Sequence, residues 1–118
     1  MREEVTPARK VLEPIAWLLQ MISGAVLAVL ITVHFYVTHM TSHEAIRYHE
    51  VIERLSSTGY KAMYVALLFF VTFHAFNGLR AIVLDTNFGA RNRGAVNTIT
   101  MLLFIITFIY GLYLLIII

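Results

Sequence analysis

The sequence predicts an all-α membrane protein of three transmembrane helices, with a short amphipathic helix in the outer loop between the first two. Three observations carry this. The 118 residues are 59% hydrophobic and only 14% charged, and the charges avoid three long stretches, near residues 15–38, 61–85 and 95–118. Each stretch exceeds the roughly 20 residues that an α-helix needs to cross a bilayer. The remainder is a short charged N-terminus, a loop near residues 41–60 and a tight turn near residues 86–94, none of which can enclose a soluble core. The chain is therefore one membrane-anchor unit, and chemistry on a water-soluble substrate has to come from a partner.

The first span is too long for the apolar core of a signal peptide and has no small-residue cleavage site after it, so it reads as a retained helix. Pro14 suits a first helical turn, where no N–H is needed, which places the start of the helix there. Trp17 follows at headgroup depth. Ser23, Leu27, Leu30, His34 and Thr38 recur on one face, so the polar members can all turn toward protein.

In the loop, Thr41 stands three residues before Glu44, a capping-box pattern. It precedes a short amphipathic helix with Ala45, Tyr48, Ile52 and Leu55 on one side and Glu44, Arg47, Glu50 and Arg54 on the other. The cluster Ser56-Ser57-Thr58-Gly59 ends it. His39, His43 and His49 read as solvated loop residues, since their spacing matches no metal-ligand pattern.

The second span carries the informative residues. His74 lies near its middle, at hydrocarbon depth, where an ionisable group is expensive unless it is paired, ligated or hydrated. At 100° per residue, His74, Gly78, Ala81 and Asp85 share one sector, with Phe70 and Asn77 at its edges. Gly78 keeps that side open one turn from His74, so a broad flat ligand could lie against the backbone. Haem suits this geometry, because a neutral imidazole is a strong axial ligand and b-type haem needs no cysteine. The alternative is a histidine that only hydrogen-bonds a neighbouring helix. A second imidazole for the same iron is not expected from His34, which lies about 10 Å nearer the outer end by helical rise; a separate haem or a proton relay is its minority reading. Asp85, at the far mouth of the helix, is either a helix-end carboxylate meeting headgroups or Arg91, or a proton relay beside a quinone. Arg80 points about a third of a turn from the sector and reaches either lipid phosphates or a haem propionate.

In the third span, Thr100, Phe104, Thr107 and Gly111 form a stripe that permits close helix contact, and Tyr110 and Tyr113 serve as interface anchors. The chain has no cysteine, which excludes thiolate nucleophiles and cysteine-ligated clusters. A net charge of +2 does not indicate a nucleic-acid partner, because the basic residues cap helix ends and form no patch. Arg2, Arg9, Lys10, Arg80, Arg91 and Arg93 lie toward one membrane face and Arg47, Arg54 and Lys61 toward the other. That asymmetry places the N-terminus in the cytoplasm and the C-terminus outside.

The run from His74 to Asp85 resembles the helix-2 motif of the small D-type membrane anchor of succinate dehydrogenase (succinate:quinone oxidoreductase, respiratory complex II). The pattern is a histidine, a glycine four residues on and an aspartate eleven residues on, here His74, Gly78 and Asp85. Asn77-Gly78-Leu79-Arg80 followed by Ile82 is similar to the actinobacterial and archaeal-type branch, as is Ser23-Gly24 with His34 ten residues later. The resemblance extends over essentially the whole chain. It implies that His74 is an axial ligand of haem b, shared with a histidine of the larger C-type anchor, and that Asp85 lies near the quinone site where the iron–sulfur subunit docks. It also implies a flavoprotein subunit that oxidises succinate, and a multi-pass location in a prokaryotic cell membrane. A fumarate reductase anchor would have the same parts. A haem-free structural anchor, or a small transporter subunit with His74 and Asp85 as a proton path, are the alternatives outside this activity. Two positions depart from the family pattern: Thr86 stands where many members have a tyrosine that bonds the quinone, and Met21 replaces the arginine of an Arg-x-Ser-Gly pattern. Ser23 of that pattern remains as a polar contact.

Overall fold

A computed structural model describes residues 7–118, with side chains from residue 10 onward. Helix α1 spans Pro7–Phe35 and continues into a π-helical turn, Tyr36–Met40. Helix α2 spans Tyr48–Ser56, α3 Thr58–Leu84, α4 Asn87–Arg91 and α5 Arg93–Ile117. Three segments, Lys10–Met40, Thr58–Leu84 and Arg93–Ile117, are long and apolar enough to cross a membrane. The chain is thus an all-α, multi-pass membrane protein, about 60 Å long and 26 × 22 Å across.

Helix α3 is the centre of the bundle. Both α1 and α5 pack along it, whereas they pack hardly at all on each other, leaving a cleft between them that α3 floors. Lipid gives little hydrophobic drive to helix association, so close approach falls to small and hydroxylated residues. The buried positions fit this: Ser23 and Leu27 on α1, Thr72 on α3, Val96 and Thr100 on α5, and Thr38 in the π-helical turn. Each buried hydroxyl donates to a carbonyl of the preceding turn, as Thr72 does to Leu68 at 2.7 Å and Thr100 to Val96 at 2.8 Å. No bare donor is then left in the contact. Near the loop end, Gly111 lets Leu68 approach so closely that a Cβ there would lie 2.6 Å from its Cδ2. Between these points Phe69 and Phe73 of α3 meet Phe104 and Phe108 of α5 edge-on, with ring centroids 5.6–6.2 Å apart.

Several sequence expectations are corrected. Helix α1 does not start near Pro14 but runs through it from Pro7. A proline there removes only the bond to the Lys10 carbonyl, at the mouth of the span, and the preceding turn is anchored instead by Glu13 (below). The capping box does not form. Thr41 donates to the Val37 carbonyl, Ser42 accepts from the Glu44 amide, and α2 begins only at Tyr48 with no side-chain cap. On α2, Tyr48 is exposed while Arg54, assigned to the polar side, folds back onto the Ala45 carbonyl. On α5 the packed stripe passes through Val96, Thr100, Phe104, Phe108 and Gly111, and Thr107 faces outward. Arg2, counted toward orientation, lies outside the described residues, as does the side chain of Arg9.

At the N-terminal end of the bundle the chain turns from α3 to α5 through α4. Thr86 caps α4, its Oγ1 accepting from the Gly89 amide at 3.0 Å while donating to the Val83 carbonyl at 2.6 Å. Gly89 is buried directly over α3. A Cβ there would stand 1.9 Å from the Val83 carbonyl oxygen, so only glycine closes this turn.

Candidate functional site

His74 sits on the α1 side of α3, half-buried. Its Nδ1 lies 3.0 Å from Ser23 Oγ. The Ser23 hydroxyl has one proton and donates it to the Gln20 carbonyl at 2.9 Å. Ser23 Oγ thus touches both the Gln20 carbonyl and His74 Nδ1, and the direction of the second bond follows the tautomer of the ring. Ser23 meets the ring at Nδ1, and Nε2 has no hydrogen-bond partner among the described residues. This is how a ligating histidine is prepared: a second group holds one ring nitrogen and fixes the tautomer, so that the other nitrogen faces the metal.

Helix α1 is shaped around this imidazole. Gly24 faces it, and a Cβ there would lie 3.2 Å from His74 Cε1, tighter than ordinary contact. Ser23-Gly24 thus supplies two things in consecutive residues: a hydrogen-bond acceptor and the space for the ring. One turn away, Gln20 fills the position beside Gly78. Its Nε2 donates to the His74 carbonyl at 3.1 Å, and its Oε1 accepts from Asn77 Nδ2 at 2.9 Å. Asn77 also donates to the Ala16 carbonyl at 3.2 Å. A Cβ on Gly78 would fall 2.9 Å from Gln20 Nε2. The side of Gly78 expected to be open to a flat ligand is therefore occupied by Gln20, and the role of this glycine is to admit the amide that locks α1 to α3 beside His74.

The guanidinium of Arg80 is held inside the bundle. Nε donates to Asn97 Oδ1 at 2.7 Å and Nη2 to Glu13 Oε1 at 2.7 Å. Arg93 Nη1 reaches the same carboxylate oxygen at 2.9 Å. One glutamate of α1 thus ties α3 to α5 at the mouth of the bundle, in a part-buried cluster. The sequence reading did not include Glu13, Gln20, Asn97 or Arg93 in a site. Glu13 lay just before the assumed start of the helix, and Gln20 is a polar side chain at the depth of an apolar run, which was the available signal.

Asp85 caps α3 at the same end and is exposed, with no ion pair to Arg91 among the described residues. It lies eleven residues, about 16 Å, from His74 along the helix. Thr86 beside it has committed its hydroxyl to the α4 cap. His34 packs edge-on against Tyr64, ring centroids 5.6 Å apart, and its Nδ1 is buried without a partner among the described residues. Tyr64 precedes His74 by ten residues, so the two histidines are separated by about 15 Å along the bundle and cannot bind one iron. His39 is exposed and stacked on Phe35, with Nδ1 2.6 Å from Thr38 Oγ1. Among the described residues no three His, Cys, Asp or Glu side chains converge to hold a metal ion by themselves.

Residues 2–114 match the family described as succinate dehydrogenase/fumarate reductase transmembrane subunit. The chain is 59% identical over 112 residues to the succinate dehydrogenase hydrophobic membrane anchor subunit of Archaeoglobus fulgidus, covering 95% of this chain and 96% of that one. It is 30% identical over 93 residues to the subunit of the same description in Thermoplasma acidophilum, covering 78% of this chain and 76% of that one.

Proposed function

The chain belongs to the succinate dehydrogenase/fumarate reductase transmembrane subunit family and is a membrane anchor, and on that premise we propose that it holds one side of a b-type haem through His74. A histidine of the C-type anchor subunit would hold the haem from the other side. The observation that carries the reading is the hydrogen bond between Ser23 and His74 Nδ1, which holds one ring nitrogen and leaves Nε2 as the one to ligate when the proton is on Nδ1. The donor set fits the group: an axial site needs one neutral imidazole from this chain and no cysteine. When bound, haem supplies a one-electron carrier within the membrane. The share of this chain is ligation through Nε2, orientation through Ser23 and Gln20, and close helix approach at Gly24 and Gly78.

Quinone is the substrate in this reading, met at the membrane face where Asp85 is exposed to take protons from water. Electrons reach it from succinate through the flavoprotein and iron–sulfur subunits, the latter docking on that face. The face is cytoplasmic in this reading, in a prokaryotic cell membrane, with the N-terminus inside and the C-terminus outside, because the sequence puts Arg2, Arg9, Lys10, Arg80, Arg91 and Arg93 toward it and only Arg47, Arg54 and Lys61 opposite. The test is a reduced-minus-oxidised absorption spectrum of the purified complex. His74→Ala is expected to abolish the b-type band while the assembled complex persists. A band unchanged by the substitution moves the ligand elsewhere, and absence of the band from the wild-type complex refutes haem binding.

A further inference from the structure

Helices α1 and α3 run antiparallel, and their polar contacts form one ladder. Ser23 meets His74, Gln20 meets His74 and Asn77, Ala16 meets Asn77, and Glu13 meets Arg80. The middle rungs are two neutral amides that close around the backbone of His74. Gln20 Nε2 donates to the His74 carbonyl at 3.1 Å, while Gln20 Oε1 accepts from Asn77 Nδ2 at 2.9 Å. Asn77 Nδ2 has two hydrogens, and the other goes to the Ala16 carbonyl at 3.2 Å. A backbone carbonyl can only accept, and one stands at each end of this chain of bonds. Neither amide can then be turned over without setting oxygen against oxygen, so both side chains are held in one orientation.

The ladder places two grips on one residue. Ser23 meets the ring of His74, and Gln20, about 4.5 Å away along α1, holds its carbonyl. A bond to the ring alone lets the backbone shift beneath it, and a bond to the carbonyl alone lets the ring turn. Together they fix both depth and ring angle. The apolar part of the seam resists sliding weakly, because lipid replaces its contacts at little cost. We propose that Gln20 and Asn77 are positioning residues for His74: their amides set the height and rotation of α3 against α1, so that the imidazole is presented at one depth and one angle. The proposal rests on the haem reading above. An axial ligand to a group shared between two chains has to be held within about 0.5 Å of its place, and Ser23 alone does not control the backbone that carries the ring.

The test compares whole complexes purified with and without Gln20→Met, which keeps the length of the side chain and removes both of its hydrogen bonds. Three quantities are read: haem content, the rate of haem loss to excess apomyoglobin, and the low-field g value of the ferric haem by electron paramagnetic resonance, which follows the angle between axial imidazole planes. Gln20→Met is expected to keep its haem, to show a displaced g value and to lose haem about threefold faster, the scale of one interhelical hydrogen bond in a membrane. Asn77→Leu, which leaves the Gln20 amide unheld, should move the g value in the same sense. The double variant should move it no further than Gln20→Met, because the two amides act as a unit. Gly111→Ala, which crowds Leu68 on the α5 side, is the packing control and should lower the thermal midpoint with the g value unmoved. Should Gln20→Met fail to assemble, Gly78→Ala pushes on the same amide from α3 without removing a polar group and carries the same expectation. A wild-type g value in Gln20→Met, additive shifts in the double variant, or an equal shift in Gly111→Ala overturns the proposal and leaves the haem reading standing. Absence of the b-type band from the wild-type complex refutes that reading and the proposal with it.

Discussion

At the scale of single residues, the character of the site depends on where one proton resides. A histidine in an apolar span can act as a donor, an acceptor or a ligand, and the sequence motif does not distinguish them. Ser23 narrows the choice, because it holds the ring at Nδ1 and leaves Nε2 as the nitrogen without a partner among the described residues. Removing that hydroxyl should leave Nδ1 without its partner and the ring less firmly oriented. Ser23→Ala is therefore expected to lower haem retention by about tenfold, the low end for loss of a group that orients a metal ligand, and to shift the midpoint potential of the haem. Haem content per complex and a redox titration check this; both unchanged would make Ser23 a packing residue only. Ser23 was legible as a polar residue on a protein-facing stripe, but its pairing with His74 was not. The two are 51 positions apart, and helical periodicity gives a face without naming the residue opposite it.

At the scale of elements, small residues set which helices can meet and how the chain turns between them. Gly24, Gly78 and Gly111 each admit a side chain from the facing helix, respectively His74, Gln20 and Leu68. These contacts can give by moving the far end of a side chain. At Gly89 the obstacle is the backbone of α3, which cannot move without opening the α3–α4 turn. Gly89→Ala is accordingly expected to destabilise the protein by about 1–3 kcal/mol, the range for forcing atoms into a filled space. Gly94→Ala, where a Cβ meets nothing within 4 Å, should be neutral or nearly so. Thermal unfolding of the two variants side by side makes the comparison; equal midpoints would mean that the turn is looser than its geometry indicates. The misplaced start of α1 belongs to this scale too. Proline tolerance at a first turn is a permissive rule, and here the ion pairs of Glu13 extend the useful helix beyond Pro14.

For the whole molecule, the arrangement is polarised along the membrane normal. His74 lies within the span, while Asp85, the α4 turn and the Glu13 cluster gather at one end, with α2 at the other. The bundle exposes most of its large apolar side chains, as expected of a subunit surrounded by lipid and by other transmembrane chains. The side chain of Asp85, about 16 Å from His74, has no partner among the described residues, so replacing it should leave the fold and the surroundings of His74 intact. Asp85→Asn is expected to reduce succinate:quinone activity by about 10-fold or more, in the range for loss of a positioned proton-transfer group, and to spare reduction of an artificial acceptor by the soluble subunits. Parallel loss of both activities would instead implicate assembly.

The sequence by itself determined the class of molecule, the three spans, the protein-facing side of α1 and His74 as the costly residue. These follow from local properties: the length of charge-free segments, the helical repeat and the expense of an ionisable group in hydrocarbon. Only the tertiary structure decided the partners of the polar residues. It gave Ser23 to His74, Gln20 to the gap beside Gly78, and Glu13 and Asn97 to Arg80. The physical reason is that a buried polar atom must be satisfied by whichever group packing brings within about 3 Å, and in a helix bundle that group comes from another helix, many residues away in sequence.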